Sequence, residues 1–208
     1  VFTSIVRPTG VCMSIVIRDV REHELDAVLA LNNNAGSAIL PMDADRLRYF
    51  YDYAEYFRIA ERDGALAGFL IGFGSASTHD SSNFAWFAQR YARFCYIDRI
   101  VVASRRQGGG VGRALYADLQ SYAELRYPHI ACEVFLDQGA DAALLFHGSF
   151  GFREVGQNTM RNVDVRASMM LKDLCSYAWV RETYGQTLPE VDWIIRPRTP
   201  VTPAAAGN

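Results

Sequence analysis

The stretch "RRQGGGVGRAL", residues 105–115, decides how the rest of the chain is read. It sets three consecutive glycines, Gly108 to Gly110, and a fourth at Gly112, between two apolar runs of different period. Upstream, "FCYIDRIVVA" (94–103) has the aromatic and β-branched content of a central strand. Downstream, Val111, Leu115, Leu119 and Tyr122 recur at helical spacing. A glycine loop where a strand becomes a helix presents backbone N–H groups that no earlier carbonyl satisfies, at the positive end of the helix dipole. That arrangement suits a phosphate. Two phosphate-loop patterns fail here. The Walker loop requires Gly-Lys-Ser/Thr, where this chain has Gly112-Arg113-Ala114, and a GxGxxG started at Gly108 ends on Arg113. The pattern that fits is Gln-x-x-Gly-x-Gly, at Gln107, Gly110 and Gly112. The competing reading is a turn kept flexible for packing alone.

Working outward, "SIVIRDV" (14–20) alternates as a strand does, and "REHELDAVLALNNNAG" (21–36) places Leu25, Val28 and Leu29 at helical spacing before an Asn-rich stop. Asp43 is a plausible N-cap for a second helix in "DADRLRYFYDYAE" (43–55). Asp63-Gly64 divides 56–74 into a hairpin. A polar loop (75–83) and an aromatic segment precede the central strand. After the 111–126 helix, a strand is expected at 129–136, a short helix at 139–152, strands at 152–160 and 165–171, and a helix at 172–185. The order β α α β β β α β α β β predicts an α+β fold with a mixed sheet. Met13 opens "MSIVIRD", so the domain is expected to start there, with residues 1–12 an appendage.

Composition excludes several classes. Half of the 208 residues are hydrophobic and 21% are charged, enough for a packed core. A net charge of -2 gives no basic stripe for nucleic acid. No apolar run approaches the roughly 18–20 residues of a membrane span. The four cysteines, Cys12, Cys95, Cys132 and Cys175, form no CxxC pair, so no metal ribbon is expected and a reducing, cytoplasmic setting is favoured.

The loop does not stand alone. "YIDRIVV" (96–102), "CEV" (132–134) and "FHGSFGFREVG" (146–156) flank it in order. Together, over residues 14–172, these resemble the GNAT superfamily of acyl-CoA N-acyltransferases, and within it a group of small bacterial acetyltransferases. The resemblance implies a mixed, mostly antiparallel sheet of about 6–7 strands with flanking helices and a V-shaped splay at the CoA-binding strand. It implies a domain over 13–172, with 173–208 an extension that ends in a Pro/Ala-rich tail. It implies acetyl-CoA as donor and direct transfer to an amine, without a covalent enzyme intermediate. The backbone of Gln107, Gly108, Gly109, Gly110, Val111, Gly112 and Arg113 would hold the pyrophosphate. The main chain of Ile100, Val101 and Val102 would pair with the pantetheine arm. Arg105 and Arg106 either meet the 3′-phosphate or are solvated loop arginines.

Amine attack on a thioester needs a base for the ammonium proton and an acid for the departing thiolate. Family members often supply the acid as a Tyr seven residues after an Asn. Those positions are His147 and Ala140 here. His147 is thus a candidate acid, or a packed histidine, and Ala140 leaves open a CoA-binding module without transferase activity. Asp98 is the first candidate base, on a face shared by period with Tyr96, Ile100 and Val102; the alternative is a structural pair with Arg99 or Arg113. Glu133, isolated among apolar residues, poses the same question. The segment 75–93, with His79, Asp80, Ser82, Asn83, Phe84 and Trp86, would cover the acceptor or form the hydrophobic underside of a long loop; Tyr49, Tyr53 and Tyr56, on the second helix and just after it, would contribute from the other side or form an amphipathic core face. The acceptor is a small-molecule or peptide amine. Tyr177, Trp179, Tyr184 and Trp193 leave a homodimer open.

Overall fold

The computed structural model describes residues 14–36, 39–136, 140–160 and 164–185. Asp63 and Gly64 both take positive φ, 56° and 74°. The turn between β2 (Tyr56–Arg62) and β3 (Ala65–Gly74) is therefore the two-residue kind whose twist matches its strands. Before it come β1 (Ile15–Asp19), α1 (Leu25–Asn33) and α2 (Ala44–Tyr53). The Asp43 carboxylate caps α2 by accepting from the Arg46 N–H at 2.8 Å. After it come α3 (Ser82–Ala88), β4 (Cys95–Val102), α4 (Val111–Glu124), β5 (His129–Phe135), α5 (Ala140–Ser149), β6 (Arg153–Met160), β7 (Val165–Asp173) and α6 (Ser176–Tyr184).

The strands form one sheet in the order β1-β2-β3-β4-β5-β7-β6. All neighbours are antiparallel except β4 and β5. Each face carries its own core. On one, Phe50, Phe57, Phe69, Phe73, Phe87 and Tyr96 pack under α1, α2 and α3. On the other, Val111, Leu115, Leu119 and Tyr122 of α4 cover Leu70, Ile97 and Ile130, which is the helical face their spacing predicts.

Two irregularities in β4 position everything that follows. First, β3 pairs Gly72 with Ile97 and Ile71 with Arg99, so Asp98 is an extra residue, a β-bulge. Up to the bulge, Tyr96 lies in the α2–α3 core and Cys95 and Ile97 in the α4 core. Beyond it the alternation is reset, with Val101 in the first core and Ile100 and Val102 against the second. The single face expected for Tyr96, Asp98, Ile100 and Val102 therefore breaks at Asp98. Second, β4 and β5 pair only at Cys95↔Ile130 and Tyr96↔Ala131. Past that point Ile97–Val102 and Cys132–Phe135 diverge as a wedge, each still bonded on its far side, to β3 and β7.

The structure adds one helix to the expected order. α3 spans the end of the polar loop and the start of the aromatic segment that precede the central strand. The Ser81 hydroxyl caps it, accepting from the Asn83 N–H at 3.2 Å, and Phe84 and Phe87 anchor it in the core. The last helix starts at Ser176 because β7 runs on to Asp173. Residues 1–12, Cys12, Trp193 and the Pro/Ala tail lie outside the described residues. Among the described residues, no helix is long and apolar enough to cross a membrane.

Candidate active site

The wedge opens into a cavity of about 610 Å³. One wall is Ile97–Val102 of β4 and the other is Cys132–Phe135 of β5. The glycine loop, the α1–α2 connection at Ile39 and Leu40, and Ala143, Phe146 and His147 of α5 complete it. The facing edges of β4 and β5 offer main-chain N–H and C=O groups with no sheet partner across the wedge. An extended ligand can pair there as an added strand does.

The loop meets the cavity at the start of α4. Gly110 is the N-cap, with φ +83°, a left-handed conformation that only glycine adopts without strain. It turns the chain so that Val111, Gly112 and Arg113 form the first helical turn, where N–H groups have no intrahelical partner. Gly112 packs so closely on Phe146 that a Cβ would come within 3.0 Å of the ring. Arg106 lines the cavity and pairs with Asp63 at 3.3 Å.

Asp98, Glu133 and His147 share the cavity and differ sharply. Asp98 is fully engaged. His79 Nε2 lies 2.8 Å from Oδ1, and the Arg99 Nε–H donates to Oδ2 at 2.6 Å. His79 accepts at Nδ1 from the Ser81 N–H, which puts its ring proton on Nε2, facing Asp98. Burial alone would push the Asp98 carboxyl up, but Arg99 and His79 outweigh it and hold the group at about 2. A carboxylate so held has little basicity at neutral pH.

Glu133 is the opposite case. Its Oε2 accepts from the Tyr96 hydroxyl at 2.7 Å, and it has no ion-pair partner among the described residues. Burial pushes its carboxyl up to about 7, against the downward pull of Tyr96 and Asn83. His147 is buried against Tyr116, Phe146 and Phe152. Its Nδ1 lies 2.6 Å from the Tyr116 hydroxyl and 3.6 Å from Cys132 Sγ. Burial lowers the imidazole to about 4, so it is neutral at pH 7.

A model of the acetyltransferase (GNAT) family matches residues 21–152. The chain belongs to the GNAT acetyltransferase family. No curated protein matches the sequence. Solved structures of the same fold include the ribosomal-protein-S18-alanine N-acetyltransferase of Escherichia coli, at 18% identity and TM-score 0.59, covering 77% of this chain and 94% of that one. Arabidopsis thaliana Naa50, in complex with the bisubstrate analogue CoA-Ac-MVNAL, matches at 15% identity and TM-score 0.60, over 77% and 99%. Salmonella typhimurium yncA, with its cofactor acetyl-CoA, matches at 21% and 0.57, over 77% and 94%.

In this GNAT chain the cavity gathers Asp98, Ile100, Val101, Val102, Arg106, Gln107, Gly108, Gly110, Val111, Gly112, Arg113, Ala140 and His147. Arg105 is exposed outside it. Gly109 also lies outside the lining, its carbonyl accepting from Arg62 at 3.2 Å. The acceptor-side candidates divide. His79 is buried between the rings of Phe50 and Phe84, and Asp80 pairs with Arg46 at 2.6 Å. Tyr56 is core, its hydroxyl donating to Asp118 at 2.6 Å, while Tyr53 is exposed. Tyr116 carried no sequence signal as a partner of His147, because the link depends on how α5 packs on α4. Tyr96 and Glu133 could be paired only once the β4–β5 register was known.

Proposed function

We propose that this protein is an acetyl-CoA-dependent N-acetyltransferase that passes an acetyl group directly to a primary amine. The observation that carries the reading is the wedge between β4 and β5, with the glycine loop on one side and Glu133 on its wall. The free edge of β4 at Ile100, Val101 and Val102 suits the amide groups of a pantetheine arm. The amides of Gln107–Arg113 suit a pyrophosphate, with Arg106 and Arg113 adding charge and Arg105 within the same loop for the 3′-phosphate. Naa50 and yncA share the fold and were solved with CoA-based ligands, which favours the same donor here. Bound acetyl-CoA would supply a thioester carbonyl for the amine to attack.

Glu133 takes the proton-accepting role. A carboxyl near 7, opening on the cavity, can hold an ammonium proton and release it at physiological pH. Asp98, locked to Arg99 and His79, serves instead to hold those side chains in place. His147 takes a hydrogen-bonding role at the departing sulfur: with the Tyr116 O–H donating to Nδ1, the neutral ring presents Nε2–H to stabilise the developing thiolate, and the proton that Glu133 takes from the amine balances the thiol product. Neither buried thiol is poised for a covalent step, since burial drives Cys95 and Cys132 above the ordinary thiol range.

The test has two parts. Calorimetry should show acetyl-CoA and CoA binding to the purified chain. Incubation with acetyl-CoA and a panel of amines should then release free thiol, and Glu133→Gln should suppress that release. Failure to bind either nucleotide would overturn the reading.

A further inference from the structure

We infer that Arg99 binds a neutral carbonyl oxygen beside the acceptor amine, so that the acceptor is the free N-terminus of a peptide chain. The inference rests on the acetyltransferase reading above.

The bulge at Asp98 sets up the geometry. It turns Arg99 to the α2 side of the sheet, where its guanidinium lies 5.1 Å from the centre of the Phe50 ring. Most of its donors are engaged. Nε donates to Asp98, and Nη1 donates to Asn32 Oδ1 at 2.9 Å and to the Leu40 carbonyl at 3.3 Å. Nη2 has no partner among the described residues, and Arg99 lines the cavity. Glu133 lines it too, and a short run of contacts joins it to Asp98: the Tyr96 hydroxyl donates to Glu133 at 2.7 Å, the Tyr96 ring lies 5.4 Å from that of His79, and His79 Nε2 lies 2.8 Å from Asp98. The three groups therefore belong to one end of the cavity.

The charge balance there selects the ligand. Asp98 already compensates Arg99, and Glu133 is the remaining acid. This end accommodates the single positive charge of an ammonium ion. A carboxylate beside the amine would bring a third anion to a site with one guanidinium. A carbonyl oxygen accepts from the Nη2–H without adding charge. A lysine side chain or a polyamine offers only methylenes next to its amine. It would strip water from Nη2 and return no acceptor, which is the costly outcome for a buried donor. Among the described residues, the apolar Ala35, Ile39, Leu40 and Phe135 also line the cavity, which suits a small or aliphatic first side chain.

The test compares matched acceptors on the full chain with acetyl-CoA, reading thiol release per free-base amine. Alaninamide has the carbonyl, isopropylamine has a methyl in its place, alanine has a carboxylate, and Nα-acetyl-lysine amide presents the side-chain amine. Alaninamide should exceed each of the other three by roughly tenfold to a hundredfold in kcat/KM, the range expected for one hydrogen bond to a charged donor. In Arg99→Met the gap between alaninamide and isopropylamine should shrink to within about threefold. Equal use of alaninamide and isopropylamine by the wild type, or a preference for alanine or the lysine amine, overturns the inference while leaving acetyl transfer intact. Thiol release from none of the four overturns both readings. If Arg99→Met does not fold, the wild-type ranking alone decides.

Discussion

Replacing Glu133 by Gln should change how stability depends on pH, by an amount the structure sets. Burial raises the Glu133 carboxyl from 4.5 to about 7. The folded protein therefore keeps this proton over a window in which the unfolded chain has lost it. As pH rises through that window, the unfolded state gains the advantage of an ionised carboxylate and the folded state does not. About 2.5 pH units at 1.36 kcal/mol each is about 3 kcal/mol of stability lost between pH 4.5 and 7, with little further change above 7. His147 works in the other direction. Its lowered value, about 4, means that stability is lost as pH falls from 6.5 towards 4. The two slopes oppose each other where they overlap, so the wild-type profile alone is a poor readout. The difference between wild type and Glu133→Gln isolates the carboxyl. Urea denaturation at intervals from pH 4.5 to 8, extrapolated to water, should show the wild type losing about 3 kcal/mol relative to the variant across the range. A flat difference, or a wild type that gains on the variant as pH rises, would refute the argument that Glu133 is buried without a compensating cation.

Four other outcomes follow from the site. Glu133→Gln should lower kcat/KM about 10²- to 10⁴-fold, and the wild-type kcat/KM profile should fall on the acid side of about pH 7; steady-state thiol-release kinetics check both. His147→Ala should lower kcat about a hundredfold while the amine KM stays within about threefold, as expected if His147 acts on the leaving sulfur rather than in acceptor binding. Gly110→Ala forces a Cβ into φ +83°, at roughly 1–2 kcal/mol, with no clash because the nearest atom is Ile15 Cδ1 at 3.8 Å. Calorimetry should show weakened CoA binding and thermal denaturation a lower Tm. Asp98→Asn leaves the Arg99 guanidinium without its counter-charge, and denaturation should report a loss of about 3–5 kcal/mol.

The elements most legible in the sequence were those governed by local chemistry. Asp63-Gly64 demands a turn, Asp43 caps the helix it precedes, and Val111, Leu115, Leu119 and Tyr122 mark one buried helical face. The loop at Gln107–Gly112 was legible because glycine spacing and strand-to-helix context agree. What stayed hidden depends on tertiary register. Seven residues, SNFAWFA, give too little periodicity to reveal α3. The bulge at Asp98 leaves no mark in the strand-like run 94–103, yet it decides which way Asp98 and Arg99 point. Asp98 and Glu133 look alike in sequence, each an acid inside a strand-like, mostly apolar run. They are told apart only by what folding brings to them, a guanidinium and an imidazole in one case and neutral groups, led by the Tyr96 phenol, in the other.

The sheet has a seam. β1 to β4 make one hydrogen-bonded panel and β5, β7 and β6 another, stitched together only at Cys95↔Ile130 and Tyr96↔Ala131. A tensile load across those panels is resisted by a short row of rungs, then by the α4 crossover and the side chains packed on both faces. Anything that bridges the wedge with backbone-like amides adds rungs to the row. The stiffness of the whole sheet is thus set by what lies between β4 and β5. Amide exchange at Tyr96 and Ala131, the last rung before the strands part, is where that stiffening would register first.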